Sequence, residues 1–94
     1  MRKFENFDKQ NRLLLLFKVL SNANRLKVIK YLSEQHSATP GQMSLELKIS
    51  ECNLSNHLKL MRISKVVKAK QQGSFLQYSI KDPLVTELIS SIRR

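Results

Sequence analysis

Five side chains between positions 52 and 62 combine types and spacing suited to one kind of chemistry. Cys52, Ser55, Asn56, Lys59 and Arg62 fall on one side of a helix when placed at 100° per residue. Leu54, Leu58 and Met61 fall on the opposite side, within about 60° of one another, and form the stripe that such a helix buries. Short thiol, hydroxyl and amide groups reach the edges of stacked bases, and the longer cations reach phosphate oxygens. A helix face that is merely solvated usually intersperses Glu with Lys for pairing at i,i+4, and no Glu lies on this face. The basic character continues beyond the helix. From Cys52 to Lys81 there are six cations (Lys59, Arg62, Lys65, Lys68, Lys70 and Lys81) and no Asp or Glu.

The whole chain supports this local reading. Seventeen basic against seven acidic residues give a formal net charge of +10, which favours a polyanionic partner because neutralised phosphates release condensed counterions. With 94 residues, 41% hydrophobic, the chain is expected to form one globular domain over residues 1–94 with a modest core, for which pairing with a second copy would be a natural extension. One cysteine excludes an intrachain disulfide framework and points to a reducing cytoplasm. Arg2 and Lys3 precede the apolar run Leu13 to Phe17, but Glu5 and Asp8 intervene and no small-residue cleavage site follows, so no signal peptide is expected. No stretch approaches the length of a membrane span. Ser/His/Asp sets, paired carboxylates and phosphate-binding glycine loops are absent, so no enzyme is expected.

The elements that must position the cationic face can be placed from caps and periodicity. Residues 9–20 read as a first helix, apolar around much of its circumference at Leu13, Leu14, Leu16, Phe17 and Leu20. A helix that apolar needs cover on several sides. Ser21 to Asn24 supply capping side chains for a second helix from about Ala23 to Glu34, with Leu26, Ile29, Tyr31 and Leu32 turned mostly inward. Gln35 to Ala38 read as a polar connection. Thr39-Pro40 opens a short third helix to Leu47, and Ser50 caps a fourth from Glu51 to about Ile63. Two helices joined by so short a turn form a helix-turn-helix pattern. The period then changes to two in Val67 to Lys70 and in Leu76 to Ile80, with Gln71-Gln72-Gly73-Ser74 as the hairpin turn between them. Asp82-Pro83 begins a last helix whose apolar residues are Leu84, Val85, Leu88, Ile89 and Ile92. The expected fold is mainly α with a β-hairpin wing, a winged helix-turn-helix in the order α-α-α-α-β-β-α. Candidate contacts on the wing are Lys68, Lys70, Gln72 and Ser74, with Gln71 also at the tip.

Three stretches of the chain resemble the ArsR/SmtB family of bacterial repressors. They are Phe17 to Ile29 (FKVLSNANRLKVI), Ile49 to Met61 (ISECNLSNHLKLM), and Val66 to Gly73 with Tyr78 to Ile80, in the family's order and spacing. The resemblance runs from about Phe17 to Leu88. It implies a homodimer formed through the first and last helices (residues 1–20 and 83–94), bound to the inverted repeat of an operator in double-stranded DNA and blocking transcription. By position it makes Glu51, Cys52, Ser55 and Asn56 the base-contacting candidates, and the interface candidates are Leu13, Leu14, Leu16, Phe17, Leu84, Leu88, Ile89 and Ile92. Glu51 stands where the family often has Gln, and Cys52 where Ser or Thr is usual, so the sequence preference is expected to differ from that of typical members.

Metal-sensing members of the family carry a Cys-x-Cys in the first helix of the helix-turn-helix, or an Asp-x-His in the last helix. Here the first site reads Gln42 to Leu47 without Cys or His, and Asp82-Pro83-Leu84 keeps the Asp alone. A single carboxylate does not hold Zn²⁺, so no metal and no cofactor is expected, and Asp82 reads as a helix cap. His36 reads as a solvated loop residue and His57 as a packing or phosphate-contacting residue. Cys52, near a helix N-terminus in basic surroundings, is a candidate thiol switch or simply a small side chain in place of Ser. Whether the effector is a small molecule or a redox event stays open. A different function stays open as well, a winged helix that docks an acidic protein partner.

Overall fold

The computed structural model describes residues 2–92, with side chains from Gln10 to Ile92. Five helices and one hairpin follow in the expected order: α1 (Arg2–Leu20), α2 (Ala23–Gln35), α3 (Pro40–Leu47), α4 (Glu51–Ile63), β1 (Val67–Gln72), β2 (Phe75–Ile80) and α5 (Pro83–Ile92). Met1, Arg93 and Arg94, part of the expected dimerisation segments, lie outside the described residues. Helix α1 begins seven residues before the expected start at position 9.

Local chemistry sets the helix boundaries. The Asn22 side chain accepts from the backbone N–H groups of Asn24 and Arg25 and starts α2. Thr39 and Gln42 form a capping box at α3, each side chain satisfying the other's backbone N–H, with Pro40 at the first helical position. Lys48 ends α3 in the left-handed conformation at φ 56°, and Ser50 Oγ accepts from Asn53 N–H to open α4. Ser44 Oγ donates to Ile49 C=O at 2.7 Å and braces the turn between these two helices. Asp82 Oδ1 accepts from Leu84 N–H at 3.0 Å, the expected cap of α5.

One core joins all the helices to the hairpin. Leu16 and Val19 of α1, Val28, Ile29 and Leu32 of α2, Met43 of α3, and Leu54, Leu58 and Met61 of α4 meet Val66, Val67, Tyr78, Val85 and Ile89 there. On α2 the sequence misplaced part of the inward face. Val28 is fully buried, whereas Leu26 is 37% exposed and Tyr31 half-buried, because neighbours from every other helix and from β2 pack on α2 and choose which of its apolar residues they cover. The hairpin is tighter than expected. Gln72 pairs with Phe75, so the turn is the two residues Gly73-Ser74, with Gly73 at φ 60° where glycine carries no Cβ penalty.

The connection after α2 also departs from expectation. Ala38 is 1% exposed and forms an isolated bridge to Tyr78, with Ala38 N–H donating to Tyr78 C=O at 3.0 Å and Tyr78 N–H to Ala38 C=O at 2.8 Å. The supposed polar loop is thus stitched to the free edge of β2. This fixes the hairpin against the start of the helix-turn-helix.

Candidate nucleic-acid interface

Helix α4 presents the expected division of faces. Leu54, Leu58 and Met61 are at most 2% exposed, while Glu51, Cys52, Ser55, Asn56, Lys59 and Arg62 are all exposed. Burial of the apolar stripe against α2 and α3 fixes the rotation of α4, and with it the direction of the polar side chains. Cys52 is free and exposed. His57 sits on the flank, half-buried. Burial first, and the nearby Arg25 guanidinium second, hold its imidazole below the ordinary histidine range. Its half-buried position on the flank of α4 fits a packing role.

Strand alternation sorts the wing. The pairs Ala69–Tyr78 and Gln71–Leu76 share the inner face, and Lys68–Ser79, Lys70–Gln77 and Gln72–Phe75 share the outer one. Lys68, Lys70 and Gln72 are exposed together on that outer face, and Ser74 is exposed in the turn. Gln71 is committed elsewhere, since its Nε2 donates to Gly73 C=O at 2.9 Å and tightens the turn. Phe75 was missed in the sequence reading. It is 64% exposed beside these cations, and its position directly after the Gly73-Ser74 turn of a basic hairpin was the available signal. Lys65, at φ 62° in the α4–β1 turn, and Lys81 past the end of β2 are also exposed and extend the cationic surface to the base of the wing.

The terminal helices divide differently from expectation. Leu16 and Ile89 are buried in the protomer's own core, at 0% and 2% exposure. Both belong to the core cluster because those positions carry the inward stripe of each helix. Leu14, Phe17 and Ile92 are 66%, 55% and 74% exposed, and Leu13, Leu84 and Leu88 are half-buried. Phe17, Leu20, Leu26, Leu88, Ile89 and Ile92 line an apolar groove of about 260 Å³ between α1, the start of α2 and α5.

Arg12 was also missed. Its guanidinium donates to Asp82 Oδ2 from Nε at 2.9 Å and from Nη2 at 2.7 Å, to Ser64 C=O from Nη1 at 2.6 Å, and to Lys65 C=O at 3.2 Å. One side chain of α1 thereby holds both ends of the wing's base. The Asp that resembled a remnant metal ligand is a cap and an ion-pair partner. Among the described residues no group of three His, Cys, Asp or Glu side chains is placed to hold a metal ion.

The family model of the bacterial regulatory proteins, arsR family, matches residues 22–68, which comprise α2, the whole helix-turn-helix and the start of the wing. The chain belongs to this family. It is a winged helix-turn-helix transcriptional regulator, a class distinct from enzymes. It is 29% identical over 85 residues to the HTH-type transcriptional regulator MJ1325 of Methanocaldococcus jannaschii, covering 90% of this chain and 96% of that one. It is 34% identical over 74 residues to the transcriptional repressor PagR of Bacillus anthracis, covering 79% of this chain and 74% of PagR. The crystal structure of PagR superposes with a TM-score of 0.85 over 92% of this chain and 98% of PagR. The homodimeric winged helix-turn-helix domain of Mb0332 from Mycobacterium bovis shares the fold, with a TM-score of 0.81 at 18% identity over 94% of this chain and 81% of that one.

Proposed function

We propose that this protein is a homodimeric repressor that binds an inverted-repeat operator, with α4 in the major groove and the wing on the adjoining backbone and minor groove. The observation that carries the reading is the exposed cationic surface formed by Cys52, Ser55, Asn56, Lys59 and Arg62 together with Lys68 and Lys70, with Glu51 as the one carboxylate, at the start of the helix. In this reading Ser55 and Asn56 contact base edges, while Lys59, Arg62 and the wing lysines contact phosphates and set register. Glu51 accepts from a cytosine amino group, and Cys52 occupies a position facing the bases.

The dimer is supported by the apolar surface left on α1 and α5. Covering Phe17 or Ile92 with a second copy is worth about 1.5–3 kcal/mol for each fully buried side chain, and the related fold of Mb0332 is homodimeric. PagR is a repressor, and occupation of an operator by a compact dimer excludes other proteins from the same DNA. No described helix is long and apolar enough to cross a membrane, and a repressor of this kind works in the cytoplasm, where the chromosome is.

Selection of bound duplexes from a random pool tests this directly. The expected product is an inverted repeat with half-site centres about one helical turn, roughly 10 base pairs, apart. Affinity for it should fall steeply between about 50 and 200 mM salt, as counterion release requires. Absence of duplex binding even at low salt overturns the reading and favours docking of an acidic protein.

A further inference from the structure

Between the first turn of α3, the flank of α4 and the inner face of the hairpin lies a cleft of about 550 Å³. That volume is typical of small-molecule sites, which combine apolar walls with a few convergent polar groups. Its floor is apolar. Leu54, Leu58 and Tyr78 reach it from the core, at most 7% exposed, and Leu76 closes it on the wing side. The lip is the DNA-facing helix itself, from Glu51 at one end through Ser55 to Lys59 and Arg62. At the helical rise, Lys59 and Arg62 stand roughly 12 and 16 Å along the axis from Glu51, so the cleft has a cationic end well separated from its one carboxylate. Among the described residues neither cation lies within ion-pair distance of a carboxylate. Duplex DNA engages the two cations through phosphates but has nothing to place against an apolar floor below them.

We propose that this cleft binds an amphipathic organic anion, an apolar chain or ring bearing one carboxylate, with the carboxylate on Lys59 and Arg62 and the apolar body over Leu54, Leu58 and Leu76. The bound anion takes both cations from the phosphates and adds a negative charge to the DNA-facing surface, so ligand and operator exclude one another. The proposal rests on the DNA-binding reading of α4 and supplies it with a release mechanism that needs neither metal nor thiol.

Gly41 provides a clean test. It lines the cleft, lies outside the residues assigned to DNA, and a Cβ there would meet only Thr39 Oγ1, at 3.9 Å. Gly41→Leu should fill the cleft and leave the fold intact. The experiment titrates ¹⁵N-labelled full-length protein with decanoate below its micellar concentration and with 2-naphthoate, using decylamine as the cationic control, and follows duplex affinity by fluorescence anisotropy. The expected result is saturable amide shifts at Gly41, Ser55, Lys59 and Leu76 with at least one of the two carboxylates and none with the amine. That carboxylate should weaken duplex binding tenfold or more, while Gly41→Leu binds duplex within twofold of wild type and loses the response. In Lys59→Gln/Arg62→Gln, whose changes are confined to exposed side chains, the preference for the anion over the amine should disappear. No saturable shift with either carboxylate, shifts on the α1–α5 groove instead, equal shifts with decylamine, or a full response in Gly41→Leu each overturns the proposal. The amide titration needs no DNA, so it reads the cleft even if duplex binding fails, and the two readings stand or fall separately.

Discussion

Arg12 on the first helix and Asp82 before the last are 70 positions apart in sequence, and their charged groups meet at 2.7 Å. The same guanidinium also satisfies the Ser64 and Lys65 carbonyls, where the chain leaves α4 for the wing. The side chains of the pair are only 30% and 16% exposed, so the interaction is less screened than a surface ion pair and is reinforced by charge-assisted hydrogen bonds. Helix α1, which carries the proposed dimer surface, is thereby tied to both ends of the hairpin.

Removing Arg12 leaves Asp82 part-buried and two carbonyls without their donor. Arg12→Ala is expected to cost about 2 kcal/mol, a fall in melting temperature of roughly 8–16 °C at fixed protein concentration. Asp82→Asn should cost less than Asp82→Ala, since an amide oxygen still caps α5 and the cap alone is worth about 1 kcal/mol. A double-mutant cycle over Arg12 and Asp82 measures their coupling, and a value near zero would show that the contact is ornamental.

Base readout and phosphate positioning should separate cleanly on α4 and the wing. Lys59→Ala, Lys68→Ala and Lys70→Ala are each expected to weaken binding similarly for all sequences and to lower the salt slope by about 1. Ser55→Ala and Asn56→Ala should instead change which bases are preferred, by about 1–3 kcal/mol at one position of each half-site. Selection with each variant distinguishes the two classes, and a uniform loss in Asn56→Ala would remove it from the base-reading set.

Phe75 exposes an aromatic ring beside Lys70 and Gln72 on the outer face of the hairpin. A ring placed there can wedge against sugar or a base step in the minor groove. Phe75→Ser should leave the melting temperature unchanged and weaken duplex binding about five- to thirtyfold, equivalent to about 1–2 kcal/mol. Unchanged affinity would show that the tip stays in solvent.

The two kinds of leucine and phenylalanine on α1 should behave oppositely. Phe17→Glu is expected to shift the sedimentation mass toward the monomer with the helical spectrum retained, and duplex affinity should fall with it. Leu16→Ala, at a position with 0% exposure, should instead cost about 2–5 kcal/mol of stability. A dimer that persists in Phe17→Glu places the interface elsewhere.

Because burial and Arg25 depress the His57 imidazole, the unfolded chain binds the proton more readily than the folded one. The stabilising preference for the neutral ring is complete above the ordinary histidine value of 6.5 and is lost as pH falls through the lower folded value. Wild type should therefore lose more stability than His57→Gln between pH 7.5 and about 5. Parallel curves for the two proteins would remove His57 as the cause of any acid sensitivity.

Much of this protein is written locally. Ser50, Thr39-Pro40 and Asp82-Pro83 fix helix starts through side-chain oxygens and a locked φ, and the change from a period of 3.6 to a period of two after Met61 marks the wing. The division of α4 follows from the same geometry, because 100° per residue puts Leu54, Leu58 and Met61 opposite Ser55, Asn56 and Lys59 without reference to any other element. These features depend on residues within a turn or two of each other, so the sequence alone determines them. Tertiary structure decided the rest. It turned Val28 rather than Leu26 to the core, joined Ala38 to Tyr78, placed Leu16 and Ile89 inside the protomer while leaving Phe17 and Ile92 outside, and brought Arg12 to Asp82. Each of these depends on which neighbouring element covers a side chain or, for Ala38 and Arg12, completes a hydrogen bond forty or seventy residues away, and no local periodicity carries that information.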